Sequence, residues 1–122
     1  MTVEITSHKV NGLNDAIQIE ATDEPGYGNA HHVYCLSFLD EQSPAETFIR
    51  FQNGPIKEAG YNGLSNEALL AIVEHQLQCF QSGPFACREN ALALTHLQES
   101  MHWLHHRTRE RMSRGVEGTL AK

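Results

Sequence analysis

Apolar and polar positions alternate through the first half of the chain and step by three and four through the second. "VEIT" (3–6), "AIQIEAT" (16–22), "HHVYCLSFL" (31–39) and "TFIRFQ" (47–52) carry period-two or β-branched patterns, which predict strands. Between the second and third runs, "DEPGYGN" concentrates Pro25, Gly26, Gly28 and Asn29, the composition of a loop. "EQSPAE" leads into the last of these runs. The first half is therefore expected to be an antiparallel sheet of three or four strands.

The period changes after Ser65, a good helix cap followed by Glu67 in a first turn whose dipole favours an acid. Leu69, Leu70, Ile72, Val73, Leu77 and Phe80 then repeat at helical spacing, and Gly83-Pro84 breaks the pattern. A longer helix is predicted from Phe85 or Ala86 to Arg114. Its seam, Cys87, Asn90, Leu94, Leu97, Met101, Leu104 and Thr108, steps like a heptad and suits packing against the first helix or a partner. The fold class is α+β: an N-terminal antiparallel β-sheet followed by two antiparallel α-helices, expected to be oligomeric. One domain covers 1–122, with a sheet part (1–53), a helical hairpin (64–114) and a short tail (115–122).

Asn90 is the polar member of that seam. A buried amide needs partners for its donors and acceptors; it either fixes helix register or faces a polar ligand. Arg107, Arg111 and Arg114 follow a 4, 3 spacing and so share a helix face, with Trp103 one turn before. Guanidinium groups match phosphate bidentately, and an aromatic ring stacks on a base.

Charge narrows the choice of anion. The net charge is −6, yet "HHRTRERMSR" (105–114) holds four Arg against one Glu, leaving −9 for the remainder. An acidic chain with one concentrated Arg patch suits a local anionic ligand better than a nucleic-acid polymer, which asks for a broad basic face. A small nucleic-acid-binding regulator using this Arg helix is the alternative. His102 and His106 lie at i, i+4, but "HWLHH" has no Glu where a zinc hydrolase needs one, so no metal is assigned. No Walker loop, dinucleotide-binding glycine pattern or nucleophile elbow occurs, so a binding module is favoured over an enzyme. No apolar run approaches the ~18 residues of a membrane span, and "MTVEITSHKV" lacks the regions of a signal peptide. Cys35, Cys79 and Cys87 are expected to be buried, reduced thiols.

"FQNGP" at 51–55 returns as "FQSGP" at 80–84. Both read as chain breakers between elements. "GPIKEAGYNGLS" (54–65) adds further glycines around Lys57; by itself it reads as a connector, although such loops can bring N–H groups to phosphate.

These runs also carry a resemblance. "FQxGPxKExGxNG", "EALLAIV", "GPFACRENALALTHL" and "RGVEGT", spread over 51–119, are similar to the phage sponge proteins that defeat nucleotide-signal immunity. Some members of that family counter CBASS, and longer ones counter Thoeris; the strand-rich start resembles the anti-Thoeris type. The resemblance implies a non-catalytic protein without cofactors, acting in the cytoplasm of an infected bacterial host. It would sequester glycocyclic ADP-ribose or cyclic di- and trinucleotides without cleaving them. It further implies a homo-oligomer, a dimer or a hexamer built as a trimer of dimers, with pockets between subunits. At the positions similar to the glycocyclic ADP-ribose pocket, Phe80 would stack on adenine, Asn90 would hydrogen-bond, and Arg107 and Arg111 would hold the pyrophosphate. Lys57 and the tail residues Glu117, Gly118 and Thr119 resemble pieces of a second pocket, for cyclic oligonucleotides.

Overall fold

The computed structural model describes residues 2–39 and 45–121, and the chain separates into two compact units. The first comprises Met1–Gly54 with Ala59–Leu64, the second Pro55–Glu58 with Ser65–Lys122.

The first unit is a four-stranded meander. Strands β1 (Val3–Ile5), β2 (Ile17–Ala21), β3 (Val33–Phe38) and β4 (Glu46–Arg50) lie in chain order, each antiparallel to the next. All four predicted strands are present, slightly shortened. Most of "EQSPAE" lies outside the described residues. A helix of five residues, α1 (Gly12–Ala16), precedes β2 and was not anticipated; Asn11 caps it by accepting from the Asn14 N–H at 3.0 Å. Ala21 is the buried apolar residue of this sheet. At the β4 edge, Cys35 donates its thiol hydrogen to Glu46 at 3.0 Å, and this contact, with burial and the nearby carboxylates, pushes its pKa up.

The β2–β3 loop is tied by Asp23. Its Oδ2 accepts the His32 N–H at 2.8 Å, while the His31 ring is 2.7 Å from its backbone carbonyl and 3.5 Å from Oδ1. Burial alone would raise the Asp23 pKa. The backbone N–H groups of His32, Val33 and Asp23 itself, with His31, outweigh it and hold the carboxyl below its ordinary range.

The chain leaves β4 through a loop that closes on itself. Phe51 bridges Leu64, and Gly63 lies so close to this crossing that a Cβ would stand 2.3 Å from the Phe51 carbonyl carbon. Gln52 binds the loop from inside: its amide donates to the Gly54 and Gly60 carbonyls at 3.1 and 2.7 Å, and its Oε1 accepts the Asn62 N–H at 3.0 Å. Asn53 and Asn62 add a reciprocal pair at 2.7 Å each way.

The second unit is a helical hairpin. It begins with one turn, α2 (Ile56–Ala59, whose last residue falls in the first unit), and continues as α3 (Asn66–Gln81) and α4 (Arg88–Ser113). Ser65 caps α3 by accepting from the Ala68 N–H at 3.1 Å, as predicted. The first turn of the predicted second helix instead belongs to the connector: α4 starts at Arg88, because the Cys87 sulfur takes the cap position, accepting from the Asn90 N–H at 3.4 Å. The expectation of buried thiols fails here. Cys79 and Cys87 are exposed and Cys35 is half-buried, all three free, since a cap and an outer helix face both look toward solvent. The predicted α4 seam holds from its second member on: Asn90, Leu94, Leu97, Met101, Leu104 and Thr108 are all half-buried, whereas its first member, Cys87, is exposed at the cap. On α3 the half-buried positions are Glu67, Leu69, Leu70, Glu74, Leu77 and Gln81, whereas Ile72, Val73 and Phe80 are exposed.

Two outcomes follow for the first unit. Gly63→Ala forces a methyl group into the Phe51 backbone and should lower unfolding free energy by about 3 kcal/mol, read by urea titration. Asp23→Asn should destabilise the sheet at neutral pH. Because the folded-state pKa of Asp23 is depressed, the gap to wild type persists above the unfolded value of about 4. It should close as pH falls through the lower folded value; thermal unfolding between pH 2 and 7 checks it.

Candidate functional site

The hairpin presents its chemistry at two ends. At the turn, Gln81 closes 82–87 with a two-way amide contact, donating to the Cys87 carbonyl at 3.1 Å and accepting the Cys87 N–H at 3.0 Å. The glutamine of each "FQxGP" copy thus binds its own loop, which neither periodicity nor turn chemistry had suggested. Phe80, beside Gln81, remains 39% exposed and meets exposed Phe85 edge to face, with ring centroids 6.4 Å apart. Asn90, in the first turn of α4, is half-buried, and its side-chain amide makes no hydrogen bond among the described residues.

The other end of α4 carries the arginines, which have separate roles despite their shared spacing. Arg107 and Arg109 are exposed and have no ion pair or hydrogen bond among the described residues. Arg114 pairs with Glu110 one turn back, its Nη2 3.1 Å from Oε2. Arg111 is 6% exposed. Its Nε donates to Glu117 Oε2 at 3.2 Å, and its Nη groups donate to the carbonyls of Val116 (3.0 Å), Thr119 (3.1 Å) and Ala121. Four of its five N–H donors are therefore committed to the tail. The predicted set Phe80, Asn90, Arg107 and Arg111 consequently divides. Phe80 and Asn90 flank the turn, whereas Arg107 lies 17 residues after Asn90 on one uninterrupted helix, roughly 25 Å away. One copy of the hairpin does not bring them together.

The second predicted set does come together. The Lys57 N–H donates to the Gly118 carbonyl at 3.3 Å, and the Lys57 stem runs along Gly118, with Cγ, Cδ and Cε 3.6–4.0 Å from where a Cβ would stand. Gly118 has φ +80°, in the left-handed region that glycine adopts without strain. Thr119 Oγ1 accepts from the Ala121 N–H at 3.3 Å and donates to the Val116 carbonyl. The Lys57 ammonium has no partner among the described residues. Lys57, Glu117, Gly118, Thr119 and Arg111 thus form one cluster at the tail.

The aromatic residues near the Arg end group locally. Trp103, two-thirds exposed, lies edge to face with His102 and His106, and those two rings stack at 6.5 Å. The i, i+4 histidines are two of the three rings of an aromatic cluster, and no group of three metal-ligating side chains occurs among the described residues. No helix among the described residues is long and apolar enough to cross a membrane.

Residues 43–109 match the family described as "Acb2/Tad1, hairpin domain". The chain belongs to this family. The match includes Lys57, Phe80, Asn90 and Arg107 and stops before Arg111 and the tail. A curated relative, "Thoeris anti-defense 1" of Bacillus phage SBSphiJ7, is 54% identical over 74 residues, covering 61% of this chain. The chain spans about half (52%) of that relative's length.

The two cationic residues one turn apart should respond differently to truncation. Arg111→Ala strips the tail acceptors of their shared donor and should cost about 2–4 kcal/mol. Arg107→Ala removes no ion pair or hydrogen bond among the described residues and should stay within about 0.5 kcal/mol. Paired denaturant titrations distinguish them.

Proposed function

We propose that the protein is a phage immune-evasion protein that binds signalling nucleotides and withholds them without cleavage. The observation that carries this reading is the recognition chemistry of the hairpin: an exposed aromatic ring at Phe80, a half-buried amide at Asn90 and an exposed guanidinium at Arg107, the last two without a hydrogen-bond partner among the described residues. These residues supply stacking, hydrogen bonding and charge. None is a nucleophile or general base at neutral pH, which fits retention rather than turnover. The name of the 54% identical relative supports Thoeris as the target. The ligand would then be glycocyclic ADP-ribose made by TIR enzymes, encountered in the cytoplasm of the infected host. Lys57 with Glu117, Gly118 and Thr119 would form the second site, for cyclic di- or trinucleotides of CBASS, whose phosphodiesters carry the negative charge Lys57 complements.

The distance along α4 asks for a second copy. Arg107 can face Phe80 and Asn90 only if another hairpin supplies one of the two ends. Ile72 at 67% exposure, with Val73 and Phe80, leaves an apolar strip on α3 for such a neighbour. A homo-oligomer, a dimer or a hexamer of three dimers, satisfies both demands. Arg111 was expected to share the pyrophosphate with Arg107; in each chain four of its donors face the tail, so of that pair Arg107 is the one left for the phosphates.

Calorimetry against glycocyclic ADP-ribose tests the main site. Base stacking is worth ~1–3 kcal/mol, so Phe80→Ala with Asn90→Ala should weaken binding by about 100-fold or more while the oligomer mass stays unchanged. Ligand recovered after denaturation should be chemically intact; a cleaved product would overturn sequestration in favour of hydrolysis.

A further inference from the structure

Arg111 continues the α4 seam. The half-buried series Asn90, Leu94, Leu97, Met101, Leu104, Thr108 steps by four and three, and the next step lands on Arg111, the buried residue of the helix. A charge at that place draws acceptors to itself, and the tail supplies them as backbone carbonyls. Their direction has a geometric consequence. Among the described residues every peptide bond is trans, so the C=O and N–H of each peptide unit point opposite ways. With the carbonyls of Val116 and Thr119 aimed at the guanidinium, the N–H groups of Glu117 and Leu120 are turned away from it. Neither N–H has an acceptor among the described residues. The Lys57 stem borders the same stretch at Gly118, and the Gly118 carbonyl is fixed by the Lys57 N–H. Outward N–H groups beside an unpaired ammonium are the elements of a phosphate cradle.

We propose that Arg111 is a positioning residue for the Lys57 site: by gathering the tail carbonyls it orients the free N–H groups of Glu117 and Leu120 beside the Lys57 side chain, where a phosphodiester anion binds. This rests on the reading of Lys57 and the tail as a cyclic-oligonucleotide site. It moves Arg111 from direct phosphate contact to building the surface that makes the contact.

The test combines amide hydrogen exchange with calorimetry on full-length protein, using cyclic triadenylate as probe. In Arg111→Gln, the Lys57 and Thr119 amides, which donate to the Gly118 and Val116 carbonyls, should exchange at least tenfold faster. Affinity for the probe should fall at least tenfold. Arg111→Lys keeps the charge but not the fork and should restore only part of either. Gly118→Ala disfavours the φ the tail needs while leaving Arg111 in place, and should reproduce both effects with helicity unchanged by circular dichroism. Lys57→Gln should weaken binding with tail protection intact. Wild-type protection in Arg111→Gln, or wild-type affinity despite lost protection, overturns the positioning role. If wild-type protein does not take up the probe, the Lys57 site reading fails first and the proposal with it, a result distinct from normal binding by Arg111→Gln.

Discussion

A guanidinium enclosed by carbonyl oxygens occupies the end of a seam otherwise made of leucine, methionine, threonine and asparagine. Removing such a group from water is costly unless nearly every donor is met, and here four are. The arrangement of the second unit beyond α3 depends on that compensation. It directs the chain after Gly115 back toward the helix and brings Gly118 against Lys57, while neighbouring Arg107 and Arg109 stay exposed without an ion pair among the described residues. The same helix segment thereby holds one buried guanidinium, at Arg111, beside exposed ones at Arg107 and Arg109.

The sheet and the helical hairpin were legible because both rest on long periodic runs. The four β-patterns and the Ser65 cap needed only alternation and capping chemistry to be placed. α1 and α2 were missed since five and four residues are too few to display a period. Cysteine was assigned by its usual preference for burial, yet Cys87 serves as a cap acceptor, a role decided by position rather than polarity. Arg111 was grouped by its spacing to Arg107 and Arg114, a real helical relation. Extending the apolar seam by three residues from Thr108 would have reached it as a buried position. Two helical relations were available at one residue, and burial distinguished them. The paired glutamines left no signal except repetition itself: the recurrence of "FQxGP" reflects a shared way of closing a loop as much as two chain breaks.

The hairpin leaves apolar surface that its own seam does not use. α3 turns Leu70 and Leu77 toward partial burial but shows Ile72 and Val73 to solvent. None of the apolar side chains of α3 or α4 is fully buried in the single chain. Packing between copies and completion of a recognition site are therefore coupled requirements under the proposed function, because the residues that need a neighbour lie at the ends of the helices bearing the uncovered strip.

The order of the strands has a kinetic meaning. Each strand pairs with the one before it in the chain, and α4 packs on the helix that immediately precedes it. The glutamines close loops spanning six and eight residues. Within each unit the entropy of bringing contacts together is small, and the helical hairpin should fold in the fast range of local helical topologies, on the order of microseconds to milliseconds. A chain of this kind can complete its sheet while the helices are still being synthesised, with few long-lived unpaired edges to recruit the wrong neighbour.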